Sequence, residues 1–318
     1  MDGLNQTGLE QKNPIPADGP GEGSTPADIA SKGISLFIAI FALGIAVAGF
    51  RFYDKNHLPD AFFLRKISRG AEFDMVFVGD SRVYRGIAAS TTGKSAFPSE
   101  EVKAFNYGFS SLGITPDVLK DAASKLSPTG KKILVIGVSR PNLAPAAQKE
   151  NGYLDLQKLN AWERTNALMF AGVEARFRLK KGSNYISKPQ ADGWVWSKKT
   201  PEKQDEFTKE SAKLPETERV SPEVLDRLEK SIAEFSQQGI KVFAVRLPTT
   251  QGMFEVERDR LGWDEQMVRA KVEAGGGTWI SAPPYAEEFH CYDGSHLRHD
   301  GAEAFSKWLG ERMRESGL

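Results

Sequence analysis

The sequence predicts an α/β fold in which a mostly parallel sheet is covered by helices on both faces. Short apolar runs of strand length recur along the chain, and segments with helical periodicity separate them. Strands that are separated by helices are joined by crossovers, which makes neighbouring strands parallel. Five strands are predicted, at residues 75–78, 102–107, 132–136, 241–246 and 278–280.

Helices are predicted at residues 115–126, 222–238 and 301–314. Ser221 and Pro222 predict the start of the second helix, because serine is a common N-cap and proline fits the first helical position. Gly239 follows that helix directly and predicts its end.

Residues 151–219 break this alternation and are rich in Lys, Glu, Trp and Gly. We interpret them as an insertion between the third and fourth core strands. The insertion could form a lid or a wall that faces carbohydrate, since aromatic rings such as Trp194 and Trp196 stack on sugars. Alternatively, these two tryptophans anchor the insertion to the core.

The N-terminal region predicts a tail and a membrane anchor. Residues 1–32 have almost no apolar run, and we expect a disordered tail. Residues 33–50 carry no charge and, extended to Tyr53, reach the roughly 20 residues that span a bilayer. We therefore predict one transmembrane helix at 33–53, ahead of a domain at 54–318. A cleaved signal peptide is the competing interpretation, because Ala46-Val47-Ala48 has the small-x-small form of a cleavage site.

The charges around this apolar run favour a cytoplasmic domain. One basic residue closely precedes the run, and several follow it, which by the positive-inside rule leaves the large domain inside the cell. These residues are Lys32 before the run, and Arg51, Lys55, Arg65, Lys66 and Arg69 after it.

Composition bounds the classes of partner and cofactor. The 318 residues have a formal net charge of zero, so neither nucleic acid nor an acidic membrane surface is implied as a partner. Cys291 is the single cysteine, so no intrachain disulfide can form, and we interpret it as a buried structural thiol. His290, His296 and His299 match no helical metal-ligand spacing, and we expect neither metal nor cofactor.

Two short motifs at opposite ends of the domain predict catalysis by a serine. Gly79-Asp80-Ser81 closes the first apolar run, so the Ser81 hydroxyl should lie at the carboxyl edge of the sheet. A serine needs an adjacent base, and the base needs a group that orients it. Asp293 lies three residues before His296, a spacing that lets the carboxylate hold one ring nitrogen while the other faces the serine. The alternative is a tight turn and a solvated loop without catalytic function.

These motifs resemble those of the SGNH, or GDSL-like, hydrolase and acyltransferase superfamily. Gly79-Asp80-Ser81 is similar to its first block, and residues 293–296 are similar to its final D-x-x-H. The resemblance implies a flavodoxin-like, three-layer α/β/α sandwich with strand order 2-1-3-4-5. It also implies a serine esterase or O-acyltransferase with Ser81 as nucleophile, His296 as base and Asp293 as the orienting group.

The family also expects oxyanion donors after the second and third strands. The resemblance places one at the amide of Gly108, beside that of Ser81 itself. After the third strand the chain departs from the family: Ser139 lies where an asparagine is expected, and Asn142 comes three residues later. We expect Asn142 to turn toward Ser81, with Ser139 as the alternative position.

The resemblance also implies a substrate and a location. The expected substrate is an acylated carbohydrate of the cell envelope or another ester. From their positions near the predicted strand ends, Arg82 and Arg140 could bind an anionic sugar or acid, and for each the alternative is a salt bridge with a nearby carboxylate such as Asp80. Similar anchored proteins face outward from the inner membrane and work with a membrane acyl donor, which places the domain in the periplasm, against the positive-inside rule. A non-catalytic module that binds glycan or scaffolds a membrane complex is the alternative, because the residues after the third strand depart from the family pattern.

Overall fold

The computed structural model describes residues 26–53, 61–165, 167–168 and 185–318. The chain divides into two compact units, residues 1–58 and residues 59–318. In the first unit, helix α1 spans Pro26–Tyr53, so residues 26–32 of the predicted tail are helical. Residues 1–25 of that tail lie outside the described part. Across the described ranges, no helix combines the length and the apolar character needed to cross a membrane.

The second unit contains a five-stranded sheet in which all neighbours are parallel, as the sequence predicts. The strand order is β2-β1-β3-β6-β7, so β1 lies inside the sheet between β2 and β3. This is the order that the family resemblance implies. The core strands are β1 (Met75–Gly79), β2 (Ala104–Gly108), β3 (Ile133–Gly137), β6 (Lys241–Val245) and β7 (Thr278–Ile280).

Helices connect and flank these strands, and the three helices predicted from the sequence are present with shifted ends. Short 3₁₀ turns lie at Ala146–Gln148 and Glu216–Glu218. The helices are α2 (Ala61–Ile67), α3 (Ser81–Gly86), α4 (Ala89–Ala96), α5 (Pro116–Ala123), α6 (Arg140–Leu143), α7 (Gly152–Lys158), α8 (Glu206–Ser211), α9 (Pro222–Gln237), α10 (Gln251–Asp259), α11 (Glu265–Ala274) and α12 (His299–Glu315).

Apolar side chains of the strands fill a core on each face of the sheet. Val76 and Val78 of β1 belong to a core that includes side chains of α5, α9 and α11. Met75 and Phe77 belong to a second core, which includes side chains of α4 and α12. Every residue of β1, β2 and β3 is buried, because both faces are covered. This explains why β1 and β3 are continuous apolar runs up to their terminal glycines.

The predicted start of α9 is confirmed, and the helix ends one residue earlier than predicted. The Ser221 hydroxyl accepts a hydrogen bond from the Val224 amide and caps the helix, with Pro222 as its first residue. Gly239 has φ +73°, a conformation that L side chains rarely adopt, and it follows the end of the helix.

The insertion carries an antiparallel pair of strands, β4 (Tyr185–Pro189) and β5 (Val195–Lys199). Trp194 is buried, and its indole Nε1 donates to the Arg85 carbonyl at 2.7 Å. The Trp196 ring packs on that of His299, with ring centroids 4.1 Å apart. Both contacts hold the insertion against the domain, as the anchoring interpretation of these tryptophans expects.

Candidate active site

The Gly-Asp-Ser motif has a local structural reason at each position. A side chain at Gly79 would lie 2.8 Å from the Gly137 carbonyl oxygen, and it would also collide with Val83. Asp80 caps α3, because its Oδ1 accepts from the Arg82 amide at 2.9 Å. Ser81 is thus the first residue of the helix, at the carboxyl end of a central strand.

The three predicted triad side chains are joined by hydrogen bonds. Ser81 Oγ lies 2.7 Å from His296 Nε2, and His296 Nδ1 lies 2.8 Å from Asp293 Oδ2. Oδ1 of Asp293 accepts from the amides of Ser295 and His296, at 3.1 and 2.9 Å. Because Asp293 holds the proton-bearing Nδ1, Nε2 is left to accept the proton of the serine hydroxyl.

The surroundings of His296 keep its ring neutral. Burial lowers the pKa of His296, and the positive charge of Arg85 lowers it further, against the opposing effect of Asp293. Burial alone would raise the pKa of Asp293, but its hydrogen bonds with His296 and Ser295 hold that pKa below its ordinary value. The pair therefore combines a neutral imidazole with an ionised carboxylate near neutral pH, which is the state a general base requires.

Helix α8 of the insertion forms one wall of the site. The Phe207 ring meets the His296 ring edge to face, with centroids 5.1 Å apart. Gly294 has φ +95°, and a side chain there would lie 2.5 Å from the Gln204 carbonyl oxygen. The D-x-x-H segment and the insertion are therefore packed tightly together. The sequence predicts that the insertion could form a lid or a wall, but no sequence pattern indicates the contact between Phe207 and His296.

A cavity of about 300 Å³ opens beside the triad. It is lined on one side by residues of the sheet edge and on the other by residues that lie in or next to α8. The residues that line it include Ser81, His296, Ser110, Ser111, Arg140 and Glu210.

Gly108 does not have the oxyanion role that the resemblance implies. Its amide donates to Asn106 Oδ1 at 2.9 Å, so its one hydrogen is already used. Its carbonyl accepts from Lys66 Nζ at 2.7 Å. A side chain at Gly108 would lie 2.5 Å from the Tyr84 backbone nitrogen, so glycine is needed here for close packing with α3.

Asn142 does not turn toward Ser81 either. Its Nδ2 donates to the Gly137 carbonyl at 2.8 Å, and its Oδ1 accepts from the Ser139 amide at 3.0 Å. The Ser139 hydroxyl donates to Asp80 Oδ2 at 2.5 Å. Asn142 is fully buried and forms a capping box with Ser139. Its amide therefore holds the turn after β3, which corrects the expected role.

Two amides that sequence reasoning missed lie at the cavity. Ser110 and Ser111 follow β2, the strand next to β1, and both line the cavity with Ser81. Within the described residues, the backbone amides of Ser81, Ser110 and Ser111 donate to no other protein group. The available signal was the position of this serine pair, which begins two residues after the end of a strand that neighbours β1.

Arg82 is committed to a buried ion-pair network rather than to a substrate. Its guanidinium donates to both carboxylate oxygens of Glu257, at 2.5 and 3.3 Å, and Arg246 donates to the same carboxylate at 2.8 Å. Burial alone would raise the pKa of Glu257, but the two arginines lower it to about 2. Nε of Arg82 also donates to Ser295 Oγ at 3.0 Å, which ties α3 to the D-x-x-H segment. The contacts of Arg82 therefore match the salt-bridge alternative, with Glu257 as the carboxylate partner.

Other candidate groups have structural partners. His290 pairs with Glu202 at 2.6 Å. Cys291 is buried, and burial raises its pKa to about 12, so its thiol stays protonated. Among the residues that the structure describes, no group of histidine, cysteine and carboxylate side chains could hold a metal ion.

No protein-family profile, curated protein or solved structure matches this chain. The interpretation of the site therefore depends on its own geometry and on the two short motifs.

Proposed function

We propose that this protein is an SGNH-like serine esterase or O-acyltransferase. The observation that carries the proposal is the hydrogen-bonded chain from Ser81 through His296 to Asp293 at the carboxyl edge of a parallel sheet. In open α/β sheets this edge is where ligands bind. The strand order and the helices on both faces of the sheet support an SGNH-type sandwich.

In the proposed reaction, Ser81 Oγ attacks the ester carbonyl carbon while His296 Nε2 takes the hydroxyl proton. The tetrahedral intermediate collapses when His296 returns this proton to the leaving alcohol, and an acyl group remains on Ser81. His296 then deprotonates water or a sugar hydroxyl, which attacks the acyl carbon. The bond from this carbon to Ser81 Oγ breaks as His296 gives the proton to Oγ, which restores the serine hydroxyl. Water gives hydrolysis, and a sugar hydroxyl gives transfer. Asp293 keeps the imidazole in the required tautomer throughout.

The intermediate needs donors for its negative oxygen. We propose the amide of Ser81 together with an amide of the Ser110-Ser111 pair, because these groups line the cavity and have no protein acceptor in the described chain. One such donor typically contributes about 2.7 to 4 kcal/mol to the transition state. They take the place of Gly108 and Asn142, whose donors are bonded within the protein.

For the biological setting, we propose an ester of a cell-envelope polysaccharide as substrate. We also propose that α1 attaches the protein to the inner membrane with the domain outside, near a membrane acyl donor. The charge-free run of residues 33–50 and the exposed apolar side chains of α1 support attachment. The outward orientation depends on the family resemblance alone.

A non-catalytic binding module is the second candidate. One observation favours it: the two oxyanion donors expected from the family, the Asn142 side-chain amide and the Gly108 backbone amide, already donate to other groups of the protein. In such a module the triad would persist without turnover.

Labelling with an uncharged fluorophosphonate separates the two candidates. The reagent forms a bond between phosphorus and an activated serine oxygen and releases fluoride. We expect the full-length protein to be labelled, and the Ser81→Ala and His296→Ala variants to stay unlabelled. A folded wild-type protein that resists the reagent would overturn the esterase proposal and favour the binding module.

A further inference from the structure

Arg140 is a buried cation beside the catalytic serine. It is the first residue of α6, directly after the turn that follows β3, and it is 5% exposed. Its side chain lines the same cavity as Ser81 and His296. A guanidinium in this position can contact a ligand that occupies the cavity.

The guanidinium of Arg140 has few hydrogen-bond and charge partners among the described residues. Nη1 donates to the Glu218 carbonyl at 3.3 Å, and the Glu218 carboxylate lies 4.0 Å away, beyond hydrogen-bond distance. The Nε–H group is buried and has no hydrogen-bond partner among the described residues. Since a guanidinium carries five N–H donors and a buried unmet donor is costly, this site is built for an additional acceptor.

The carboxylates around Arg140 leave its Nε without an acceptor. Arg82 and Arg246 share Glu257 as their close carboxylate partner, so that carboxylate is already engaged twice. Burial lowers the pKa of Arg140, and the charge of Arg82 lowers it further against the attraction of Glu257. Glu218 and Asp80 also raise that pKa, so nearby carboxylates offset part of the charge of Arg140, but none of them accepts a hydrogen bond from its buried Nε. Glu210 also lines the cavity, but it is exposed to solvent, which screens its charge.

We propose that the substrate is an anionic ester, and that Arg140 binds its carboxylate while Ser81 attacks the ester carbonyl. This inference rests on the proposed function and names its substrate class. A planar guanidinium fork matches the two oxygens of a carboxylate. The cavity volume of about 300 Å³ is at the small end for ligand sites, which suits one acidic sugar residue or one short dicarboxylic acyl group.

The test compares two substrates of matched length, 4-nitrophenyl butyrate and mono-4-nitrophenyl succinate, which differ by a terminal carboxylate. A second pair places the charge on the alcohol side, with 4-acetoxybenzoate against its methyl ester. The measured quantity is the ratio of kcat/KM for the anionic to the neutral ester. We expect this ratio to exceed one in the wild type for at least one pair, and to fall about 10- to 100-fold in Arg140→Gln, as for the loss of a charge-assisted hydrogen bond.

Two further variants make the comparison specific. Arg140→Lys keeps the charge without the fork and should retain part of the preference. Arg227→Gln removes an exposed arginine of α9 and should leave the ratio unchanged. Succinate should also slow fluorophosphonate labelling of the wild type, and should slow it much less in Arg140→Gln, which tests anion binding without turnover.

The outcomes distinguish this inference from the proposed function. If the wild type is labelled by fluorophosphonate but shows no preference for the anionic member of either pair, the anionic-substrate inference is overturned and the esterase proposal stands. An equal ratio in the wild type and Arg140→Gln overturns it as well. If the wild type is not labelled at all, the proposed function itself fails. Should Arg140→Gln not fold, the ratio in Arg140→Lys and succinate protection of the wild type decide the matter.

Discussion

Replacing Asn142 with alanine distinguishes a structural asparagine from an oxyanion donor. The substitution removes the Nδ2 bond to the Gly137 carbonyl at 2.8 Å and the Oδ1 bond from the Ser139 amide at 3.0 Å. Asn142 is fully buried, so both backbone groups lose their partner without gaining water. At about 1 to 3 kcal/mol for each unsatisfied group, the free energy of unfolding should fall by about 2 to 6 kcal/mol.

The effect on catalysis should be small by comparison. An oxyanion donor would lower kcat about 100- to 1,000-fold, whereas a structural role leaves kcat of the folded fraction within about tenfold of the wild type. The assay is urea denaturation for stability, together with ester hydrolysis normalised to the fluorophosphonate-labelled fraction. Asn151→Ala is the matched control, because Asn151 caps α7 with its side chain and does not line the cavity. A large loss of kcat in Asn142→Ala with unchanged stability would refute our assignment.

Two further predictions follow from the packing and charge of the site. Replacing Arg85 with methionine removes a positive charge that lowers the pKa of His296, so that pKa should rise. Because the base works only when neutral, the acid limb of the pH profile of kcat/KM should move to higher pH; an unmoved limb would show that Arg85 does not act on the imidazole. Gly79→Ala should lower the free energy of unfolding by about 1 to 3 kcal/mol through overpacking, while Gly70→Ala, where a side chain meets no atom within 4 Å, should change it little. Equal stabilities in urea denaturation would contradict this reading of Gly79.

The strands and the triad could be predicted because their signals are local. The residues of β1 and β3 form uninterrupted apolar runs before their terminal glycines, since the sheet is buried on both faces. Asp293 and His296 are three residues apart, so their mutual geometry is set within one turn of chain. Only the contact between His296 and Ser81 depends on the tertiary fold. That contact was foreseeable because a parallel sheet brings the carboxyl ends of its strands to one edge.

The oxyanion donors and the role of Arg82 could not be predicted in the same way. Whether an amide is free depends on acceptors that the fold supplies, and the Gly108 amide is used by Asn106. The partner of Arg82 is Glu257, which is distant in the sequence and is carried by a different helix. A motif identifies residue types, but it does not show which of their hydrogen-bonding groups are already occupied.

The central claim is that Ser81 forms an acyl-enzyme, and mass spectrometry tests it directly. The full-length protein is incubated with 4-nitrophenyl acetate, quenched in acid, digested with trypsin and mapped. Cleavage after Arg69 and Arg82 releases residues 70–82, in which Ser81 is the only hydroxyl-bearing side chain and no lysine, cysteine or histidine is present. We predict that this peptide gains the mass of one acetyl group in the wild type and not in His296→Ala. An unmodified peptide in a protein that hydrolyses the ester, or acetylation that persists without His296, would contradict the account.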